Sequence, residues 1–451
     1  LVYDAATDRL VQARGPSVVR NAGLMADDGV HWLVYRSGSE WQRLGRLDAF
    51  GHIGRAADGA APLRFHLHRQ PNELLSLEGN GVWLCAESIG TVTLARQTAG
   101  PWEHFFPVAE AEAAFLDEIG GRDWIASGGG LVAHIGDPIH GIEIVQDFHA
   151  RIGMLYTPIR ELLDARHRRF QDGWSIVYDH WRIEYLTPFR PLIYMIAYGK
   201  QEIFDTMALL LASLREFGKY AGEVLIFSDR TMDQLRPYIP LDMISKCRAA
   251  TGPVRDATDM MAMKYRICDL PELAAYRPLL YLDTDIVCNA PIDMLLRELS
   301  RARRIGVPLE MDLIGDHNYY GSLLFNVDKT ARIRNDCGFS AGLIGIPSIE
   351  VARQTFPTIV DSMYGLARQQ KDRKAMGSIF HDQGIANYVV HKTDAADFEI
   401  MTRHTVTPVD FQRPLSEIER RGFAHFCGGV GDADLKLPTM RAYVALLRSG
   451  A

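Results

Sequence analysis

The chain has 451 residues, of which 47% are hydrophobic and 23% charged, and its net charge is −7. This profile is typical of a globular protein with at least one large core and two or three domains. The acidic balance argues against nucleic acid or an anionic membrane as the main partner, because both favour a strong basic excess. The apolar runs are shorter than the roughly 18 residues of a membrane span.

Charge is distributed unevenly along the chain. Residues 1–150 contain 11 Arg, no Lys and 19 Asp plus Glu, a net charge of −8, whereas the other 301 residues have a net charge of +1. Such a shift is typical of two differently built segments joined in one chain. We therefore predict one domain over 1–150, a helical connector over 151–186 and a second domain over 187–451.

The six cysteines are widely spaced, with no CxxC pair and no metal-finger pattern. This spacing predicts free thiols and a cytoplasmic protein, with membrane contact that is at most peripheral. The chain begins at Leu1 rather than Met, so removal of a signal sequence stays open.

Residues 1–150 have the pattern of an all-β segment, with short apolar runs separated by Gly, Asp and Asn clusters. Four hairpin-like units have closing strands that begin at residues 31, 64, 102 and 142. Repetition at such a period favours a β-trefoil or a small propeller-like array.

The third of these units, over residues 74–105, resembles a fascin-like β-trefoil repeat. It contains Leu-Cys-Ala-Glu, then Leu-Ala-Arg, then Trp-Glu-His-Phe. The resemblance implies a β-trefoil-like domain, and a generic β-sandwich is the alternative. Trefoils often bind carbohydrate or protein, but no ligand residue is assigned. The tryptophans at repeat positions are expected in the core: Trp32, Trp83, Trp102 and Trp124.

The connector is predicted to be helical over 158–170. Thr157 suits the N-cap and Pro158 the first helical position. The apolar face of this helix would be formed by Ile159, Leu162 and Leu163.

Beyond residue 187 the pattern changes to strands alternating with helices. Apolar strands are predicted over 192–197, 223–229 and 279–287, and an apolar stripe predicts a helix over 201–217. Buried strands with helical crossovers imply a mostly parallel, doubly wound α/β sheet. In such sheets ligands bind beyond the carboxyl ends of the strands.

Two carboxylates, Asp283 and Asp285, follow four apolar residues of the third strand. A strand that delivers both to the edge of the sheet can hold a hard cation between the protein and substrate phosphates. The alternative is a pair of turn-forming or helix-capping aspartates ahead of Pro291.

Four further motifs follow in order. The first is a predicted helix over Met263–Glu272 that bears Lys264. The others are Phe-Ser-Ala-Gly at 339–342, His-Asp-Gln-Gly at 381–384, and His-Phe-Cys-Gly at 425–428 with a later Lys436. With the Asp-x-Asp pair, they resemble the retaining glycosyltransferases of family 8, which include glycogenin and the bacterial lipopolysaccharide galactosyl- and glucosyltransferases. The resemblance covers roughly residues 188–445. It implies a GT-A-like, Rossmann-type mixed sheet with helices on both faces.

The resemblance also implies the roles of individual residues. Asp283, Asp285 and His425 would hold Mn²⁺ or Mg²⁺, and Gln383 and Asp382 would line the reacting face of a UDP-sugar donor. The implied donor-binding residues are Tyr198, Asp229, Lys264, Ser340, Gly342, Gly428 and Lys436.

Most of these residues also have a structural interpretation. His425 suits a buried structural histidine, Lys264 a solvated charge and Tyr198 a core side chain. Asp229 suits a turn or helix cap, and Asp382 a helix cap.

Three departures from the family pattern put the identity of the sugar in doubt. Ser340 replaces Asn, Gly384 replaces the second Asp of Asp-Gln-Asp, and the segment from Gly428 to Lys436 is longer than in the family.

The predicted function is a metal-dependent hexosyltransferase that acts with retention on a carbohydrate, glycolipid or protein acceptor. A non-catalytic carbohydrate-binding or scaffold protein with a decayed transferase domain is one alternative. A nucleotidyltransferase of similar topology is another, although the chain lacks a Gly-rich phosphate loop after the first strand.

Overall fold

The computed structural model describes most of the chain. The described residues are 2–4, 7–12, 22–27, 30–37, 40–46, 50–55, 62–71, 74–87, 91–100, 103–128, 130–134, 136, 138–145, 149–170, 173–179, 182–251, 254–313, 320–328, 330, 336–369, 382–427 and 433–450. The chain divides into two compact units, Leu1–Leu186 and Thr187–Ala451. No helix within the described ranges is both long enough and apolar enough to cross a membrane.

The first unit is built mainly from strands. Its described strands are β1 (Val2–Asp4), β2 (Arg9–Val11), β3 (Ala22–Asp27), β4 (Val30–Ser37), β5 (Glu40–Arg46), β6 (Ile53–Arg55), β7 (Arg64–Arg69), β8 (Leu75–Gly79), β9 (Val82–Ala86), β10 (Val92–Arg96), β11 (Trp124–Gly128), β12 (Pro138–Ile139), β13 (Ile142–Val145), β14 (His149–Ile152), β15 (Leu155–Pro158), β16 (Arg166–Phe170), β17 (Gly173–Asp179) and β18 (Arg182–Pro188). Its described α-helices are α1 (Glu110–Gly120) and α2 (Ile159–Asp164).

This unit contains two separate hydrophobic cores. The antiparallel sheet β10-β9-β8-β7-β4-β5-β6, with β3 beside β4, packs around the first core. The five-stranded sheet β12-β11-β18-β17-β16 and helix α1 enclose the second core. The first three predicted repeat units therefore contribute to one core and the fourth to the other. The trefoil symmetry itself stays a prediction.

Helix α1 contradicts the expectation that residues 1–150 are all β. Its alanine-rich sequence favours a helix, and Phe115, Leu116 and Ile119 form an apolar face that packs into the second core. At its start the Glu112 carboxylate accepts a hydrogen bond of 2.6 Å from the backbone N–H of Ala109.

The connector is mostly strand rather than helix. Helix α2 has six residues and ends at Asp164, and Thr157 still belongs to β15. The expected continuation to residue 170 is wrong because residues 166–170 pair with the aromatic and β-branched strand β17.

The tryptophans at repeat positions occupy different environments. Trp124 lies in the second core and is fully buried. Trp32 is buried outside the first core, and Trp83 is half-buried. Trp102 lies outside the described residues.

The second unit is mixed α/β. Its described strands are β19 (Leu192–Ala197), β20 (Glu223–Ser228), β21 (Cys247–Ala250), β22 (Leu279–Leu282), β23 (Ile286–Cys288), β24 (Ile305–Gly306), β25 (Leu309–Leu313), β26 (Cys337–Phe339), β27 (Leu343–Ile346), β28 (Ala396–Asp397), β29 (Thr405–Val406) and β30 (Phe423–His425). Its described α-helices are α3 (Gln201–Glu216), α4 (Met232–Leu235), α5 (Ala257–Ala262), α6 (Asp293–Arg301), α7 (Ser322–Val327), α8 (Ile349–Ala352), α9 (Phe356–Gln369), α10 (Asp382–Thr393), α11 (Glu399–Arg403) and α12 (Ala433–Ser449).

The main sheet of this unit has the order β21-β20-β19-β22-β27-β24-β28. Strands β19, β20, β21 and β22 run parallel, whereas β27 is antiparallel to both of its neighbours. Leu192 and Tyr194 of β19 enter one core, and Ile193 and Met195 enter another on the opposite face. A strand buried on both faces needs a nearly continuous apolar sequence, as predicted. The expectation of a mixed α/β sheet is confirmed.

The strand predicted over 279–287 is interrupted at the two aspartates. Strand β22 ends at Leu282, and β23 begins at Ile286 in a different sheet, where it pairs with β30. Asp283 and Asp285 therefore lie where the chain passes between two sheets. Because Ile286 pairs with His425, the same passage brings an imidazole beside the carboxylates.

Candidate active site

Asp283, Asp285 and His425 form a compact cluster in the second unit. Their potential ligand atoms all lie within 4.8 Å of one another. The backbone holds them in place: Asp283 N–H donates to Gly342 O at 2.8 Å, and Phe426 N–H donates to Asp285 O at 2.9 Å. A second group within the same reach, Glu310, His425 and Cys427, shares the histidine.

The His425 ring is buried and fixed at both nitrogens. Nδ1 lies 3.2 Å from Ser340 Oγ and 3.1 Å from Thr407 Oγ1, while Nε2 lies 3.3 Å from Asp285 Oδ1. The structural role considered for this histidine does not exclude a ligand role, since a ligating imidazole usually has its other nitrogen held in this way. Ser340 thus contacts His425.

The carboxylates carry opposite pKa shifts. Burial raises the pKa of Asp283, and the neighbouring Asp285 adds to this, while Lys264 opposes it. Burial also acts to raise the pKa of Asp285, but His425 and Lys436 hold that pKa well below its usual value. Asp285 is therefore the firmly ionised member of the pair.

The donor set fits a divalent cation. Oδ1 of Asp285 is buried, and its contact with His425 Nε2 at 3.3 Å lacks hydrogen-bond geometry. A buried carboxylate oxygen without a hydrogen bond is costly unless something positive contacts it. Two carboxylates and an imidazole suit Mn²⁺, whereas all-oxygen sites suit Mg²⁺.

Two lysines extend this charge network. Lys264 Nζ lies 2.7 Å from Asp382 Oδ2 and 3.7 Å from Asp283 Oδ1, and it donates to Ala341 O at 2.9 Å. Lys436 Nζ lies 2.6 Å from Asp285 Oδ2. Burial lowers the pKa of both lysines, but the nearby carboxylates more than offset this and raise it.

The environment of Lys264 differs from the solvated helix charge considered above. The residue is 6% exposed and lies beyond the end of α5, among short 3-10 turns rather than in the helix predicted over 263–272. Its backbone carbonyl also accepts a hydrogen bond of 2.9 Å from the Tyr194 hydroxyl.

A cavity of about 350 Å³ opens onto the cluster. It is lined by Ile196, Tyr198, Glu202, Ile203, Thr206, Met260, Met261, Lys264, Tyr281, Asp283, Thr284, Asp285, Asp382 and Lys436. Charged groups share this cavity with the apolar side chains of β19, α3 and α5. The cavity brings together six residues singled out from the sequence: Tyr198, Lys264, Asp283, Asp285, Asp382 and Lys436.

Other predicted residues lie behind the cavity or away from it. A Cβ atom on Gly342 would lie 2.5 Å from His425 Cε1 and 2.9 Å from Asp283 Oδ2, so the cluster needs glycine there. Asp229 is exposed, accepts a hydrogen bond of 3.1 Å from Gly199 N–H and does not line the cavity. Its contacts are those of a turn former. Gly428 lies outside the described residues.

Gln383 is held at both ends of its side-chain amide. Oε1 accepts a hydrogen bond of 3.2 Å from Ala341 N–H, and Nε2 lies 3.4 Å from Glu310 Oε2. Glu310 is 7% exposed and also accepts hydrogen bonds from Tyr320 and, at 3.1 Å, from Thr407.

The sequence analysis missed Glu310 and Thr407. An ionised carboxylate only accepts hydrogen bonds, so the Thr407 hydroxyl donates to Glu310 and its oxygen is left to accept from His425 Nδ1–H. The Nε2 side of the ring faces Asp285. Burial acts to lower the pKa of His425, but Asp285 and the other nearby carboxylates more than offset this and raise it. Glu310 lies within β25, and Gln383 and Thr407 come from segments far along the chain, so the local sequence carries no signal for this cluster.

Comparisons with known proteins found similarity among solved structures. No protein-family model matches the chain, and no curated protein does. The similar structures include the galactosyltransferase LgtC in complex with donor and acceptor sugar analogues, with a TM-score of 0.39, 13% identity and coverage of 57% of this chain and 95% of LgtC. Mouse xyloside xylosyltransferase 1 has a TM-score of 0.37 and 13% identity, covering 53% of this chain and 98% of its own. The bifunctional glycosyltransferase WbbM has a TM-score of 0.37 and 13% identity, covering 54% of this chain and 46% of its own.

Proposed function

We propose that residues 187–451 form a metal-dependent glycosyltransferase of GT-A-like fold. It would move a hexose from a UDP-sugar to a carbohydrate or protein acceptor with retention of configuration. The observation that carries this proposal is the cavity lined by Asp283, Asp285, Lys264 and Lys436, with His425 beside the two carboxylates.

Asp283, Asp285 and His425 would hold the cation. When bound, Mn²⁺ would supply Lewis-acid stabilisation of the departing diphosphate. The chain's own residues supply the rest. Lys436 is 25% exposed and now pairs with Asp285, so a diphosphate entering the cavity would compete for its ammonium group.

Lys264 has a different role because it is almost fully buried at the wall of the cavity. Its ammonium group holds the Asp382 carboxylate at 2.7 Å at the start of α10, next to Gln383 in sequence. This pairing fixes the beginning of the helix that presents both candidate catalytic residues. Lys264 would contact the donor while it positions Asp382.

Retention requires the acceptor to attack on the face that the diphosphate leaves. An amide is a poor nucleophile, but a fixed amide dipole can stabilise an oxocarbenium-like centre. Gln383 is fixed between Ala341 and Glu310, which supports the role proposed for it.

The first unit would serve as an accessory module. Three repeat units share its first core, which is the number a trefoil needs. The six free thiols of the chain suit a reducing compartment, and we propose the cytoplasm.

The test is a panel of UDP-sugars incubated with the full chain and Mn²⁺ or Mg²⁺, with release of UDP and free sugar as the readout. We expect hydrolysis that requires the metal and an initial sugar product with the donor's anomeric configuration, observed by proton NMR. Asp285→Asn should lower the rate about 10³-fold, because a metal supplies several kcal/mol of transition-state stabilisation.

Glu272→Gln is the matched control, since this glutamate is exposed and does not line the cavity. It should retain the wild-type rate. Equal hydrolysis by Asp285→Asn would contradict the metal assignment. Pyrophosphate release from UTP and a sugar phosphate, without UDP-sugar hydrolysis, would instead indicate a nucleotidyltransferase.

A further inference from the structure

Helix α12 places a lysine beside the candidate metal cluster. Lys436 is the fourth residue of this helix, and its Nζ donates to Asp285 Oδ2 at 2.6 Å. Both side chains line the cavity, where 25% of the lysine side chain and 16% of the aspartate side chain are exposed. The two residues are 151 positions apart in the sequence, so the fold of the second unit brings the ammonium group to the carboxylate.

This contact takes up an oxygen that a metal would need. Asp285 Oδ2 accepts from Lys436, while Oδ1 lies 3.3 Å from His425 Nε2. A small divalent cation binds a carboxylate oxygen at about 2.1 Å. An ammonium group and a divalent cation held on the same oxygen would repel each other strongly. A metal that binds through this oxygen must therefore displace the ammonium group of Lys436.

The two lysines of the cavity differ in how firmly they are held. Asp285 is the one hydrogen-bond partner of the Lys436 ammonium group among the described residues. The Lys264 ammonium group donates to both Asp382 and the Ala341 carbonyl, and its side chain is 7% exposed. A lysine side chain is a flexible four-carbon stem, so Lys436 can leave Asp285 without a change in the position of its helix.

The position of Lys436 in its helix requires an anion nearby. The positive end of the helix dipole lies at the N-terminus of α12, so a cation in the first turn is disfavoured unless an anion lies close to it. Asp285 is that anion in the structure. Since Lys436 also lines the cavity of about 350 Å³, a diphosphate in the cavity could replace Asp285 as the partner.

From these contacts we infer that Lys436 competes with the divalent cation for Asp285, and that a diphosphate relieves this competition by accepting the ammonium group. The inference rests on the proposed metal and diphosphate site and adds a coupling between its two ligands. Metal binding turns the ammonium group away from Asp285 and toward the diphosphate, and diphosphate binding removes it from the metal site. Through Lys436, each ligand therefore raises the affinity for the other by the same factor.

The test measures two affinities of the full chain by calorimetry, that for Mn²⁺ without nucleotide and that for UDP at saturating Mn²⁺. Lys436→Met should bind Mn²⁺ about tenfold more tightly than the wild type, because no ammonium group competes for Asp285 Oδ2. The same variant should bind UDP about tenfold less tightly, because the diphosphate loses a charged hydrogen-bond donor. A purely structural role for Lys436 would weaken both.

Two further variants are controls. Arg441→Met removes a cation from the same helix, but Arg441 is exposed, pairs with Asp205 at 3.6 Å and does not line the cavity. Both of its affinities should match those of the wild type. Lys436→Arg keeps a cation within reach of Asp285, so its Mn²⁺ affinity should stay close to that of the wild type. Thermal melting should show that each variant is folded.

Three results would overturn this inference alone. They are Mn²⁺ affinity in folded Lys436→Met that is no higher than in the wild type, an equal gain in Arg441→Met, and unchanged UDP affinity in Lys436→Met. Absence of Mn²⁺ binding by the wild type, or full Mn²⁺ binding by Asp285→Asn, would instead overturn the proposed metal site and this inference with it.

Discussion

Both units place cations beside aromatic rings, but they do so in opposite environments. In the second unit Lys264 is 6% exposed, its Nζ lies 4.7 Å from the Tyr281 ring centroid, and it pairs with Asp382. In the first unit Arg43 is exposed and stacks on Trp32. The difference teaches that the same pairing serves two purposes. The buried, ion-paired lysine belongs to a charge network at the cavity, whereas the exposed arginine covers the face of an indole ring.

The choice of cation follows the same division. Residues 1–150 contain arginine and no lysine. A guanidinium is planar and stacks well on an indole ring, whereas an ammonium is a compact point charge that suits an enclosed anion. The compositional shift found in the sequence therefore corresponds to a difference in how the two units use positive charge.

The largest predicted effect is that of Lys264→Met, which tests how much the buried cation contributes to stability. Removal of the buried ammonium leaves Asp382 and Asp283 without their shared cation, which should lower the free energy of unfolding by about 3–5 kcal/mol. Urea unfolding measures this. Adding Asp382→Asn should restore part of the loss, since it removes one uncompensated charge.

Lys392→Met is the matched control, because the Lys392 side chain is 46% exposed in its pair with Asp328. Its effect should be much smaller. Equal losses for the two variants would show that burial of the Lys264 pair adds nothing to stability.

A second prediction concerns pH and the buried His391. Burial lowers the pKa of this histidine to about 4, and its ring stacks on Phe398. Since the unfolded chain binds the proton near pH 6.5 and the folded chain near 4, stability contributed by the neutral ring is full above 6.5 and is lost as pH falls toward 4. Relative to His391→Leu, the wild type should lose about 3 kcal/mol between pH 7 and pH 4.

Urea unfolding of both proteins at several pH values measures this difference. If the free energy of unfolding of the wild type and of His391→Leu changed with pH to the same extent, burial would not be holding His391 neutral.

A third prediction tests the tight packing of the cluster. In Gly342→Ala the new methyl group would displace His425 and Asp283, so the rate of UDP-sugar hydrolysis should fall about 10²-fold. Gly365→Ala is the control, because a methyl group there would meet no side chain within 4 Å among the described residues. A fully active, folded Gly342→Ala variant would mean that the spacing of these groups does not matter for activity.

The smallest predicted effect concerns the relay from Glu310. Glu310→Gln supplies one acceptor and one donor where the native side chain accepts from three groups, so it should disturb Thr407 and the orientation of His425. Affinity for Mn²⁺ should fall about tenfold. Isothermal titration with Mn²⁺ measures this, and Thr407→Val should have a similar effect. Unchanged Mn²⁺ affinity in both variants would show that the hydrogen bonds from Glu310 through Thr407 do not help to position His425.

Much of the second unit could be predicted because its signals are local. The apolar run at 192–197 and the stripe at 201–217 specify β19 and α3 almost to the residue. The passage of Asp283 and Asp285 between two sheets could not be predicted, because it depends on the pairing of β23 with β30, more than 130 residues away.

The first unit was harder to predict because contacts between residues far apart in sequence decide which strands share a core. The four repeat units look alike in sequence, yet the fourth packs with helix α1 in a separate core. The stacking of Arg43 and Arg64 on Trp32 depends on which residues face each other across β4, β5 and β7, and strand register is not visible in the sequence of one strand. Glu310 was overlooked for a similar reason, since its partners come from distant segments.

The most direct test of the central claim is calorimetric titration of the full chain with UDP, with and without Mn²⁺. We predict saturable binding that requires Mn²⁺, is lost in Asp285→Asn and is kept in Glu272→Gln. Binding that is the same without metal and in Asp285→Asn, or no binding of UDP with Mn²⁺, would contradict the assignment of the cluster as a metal and diphosphate site.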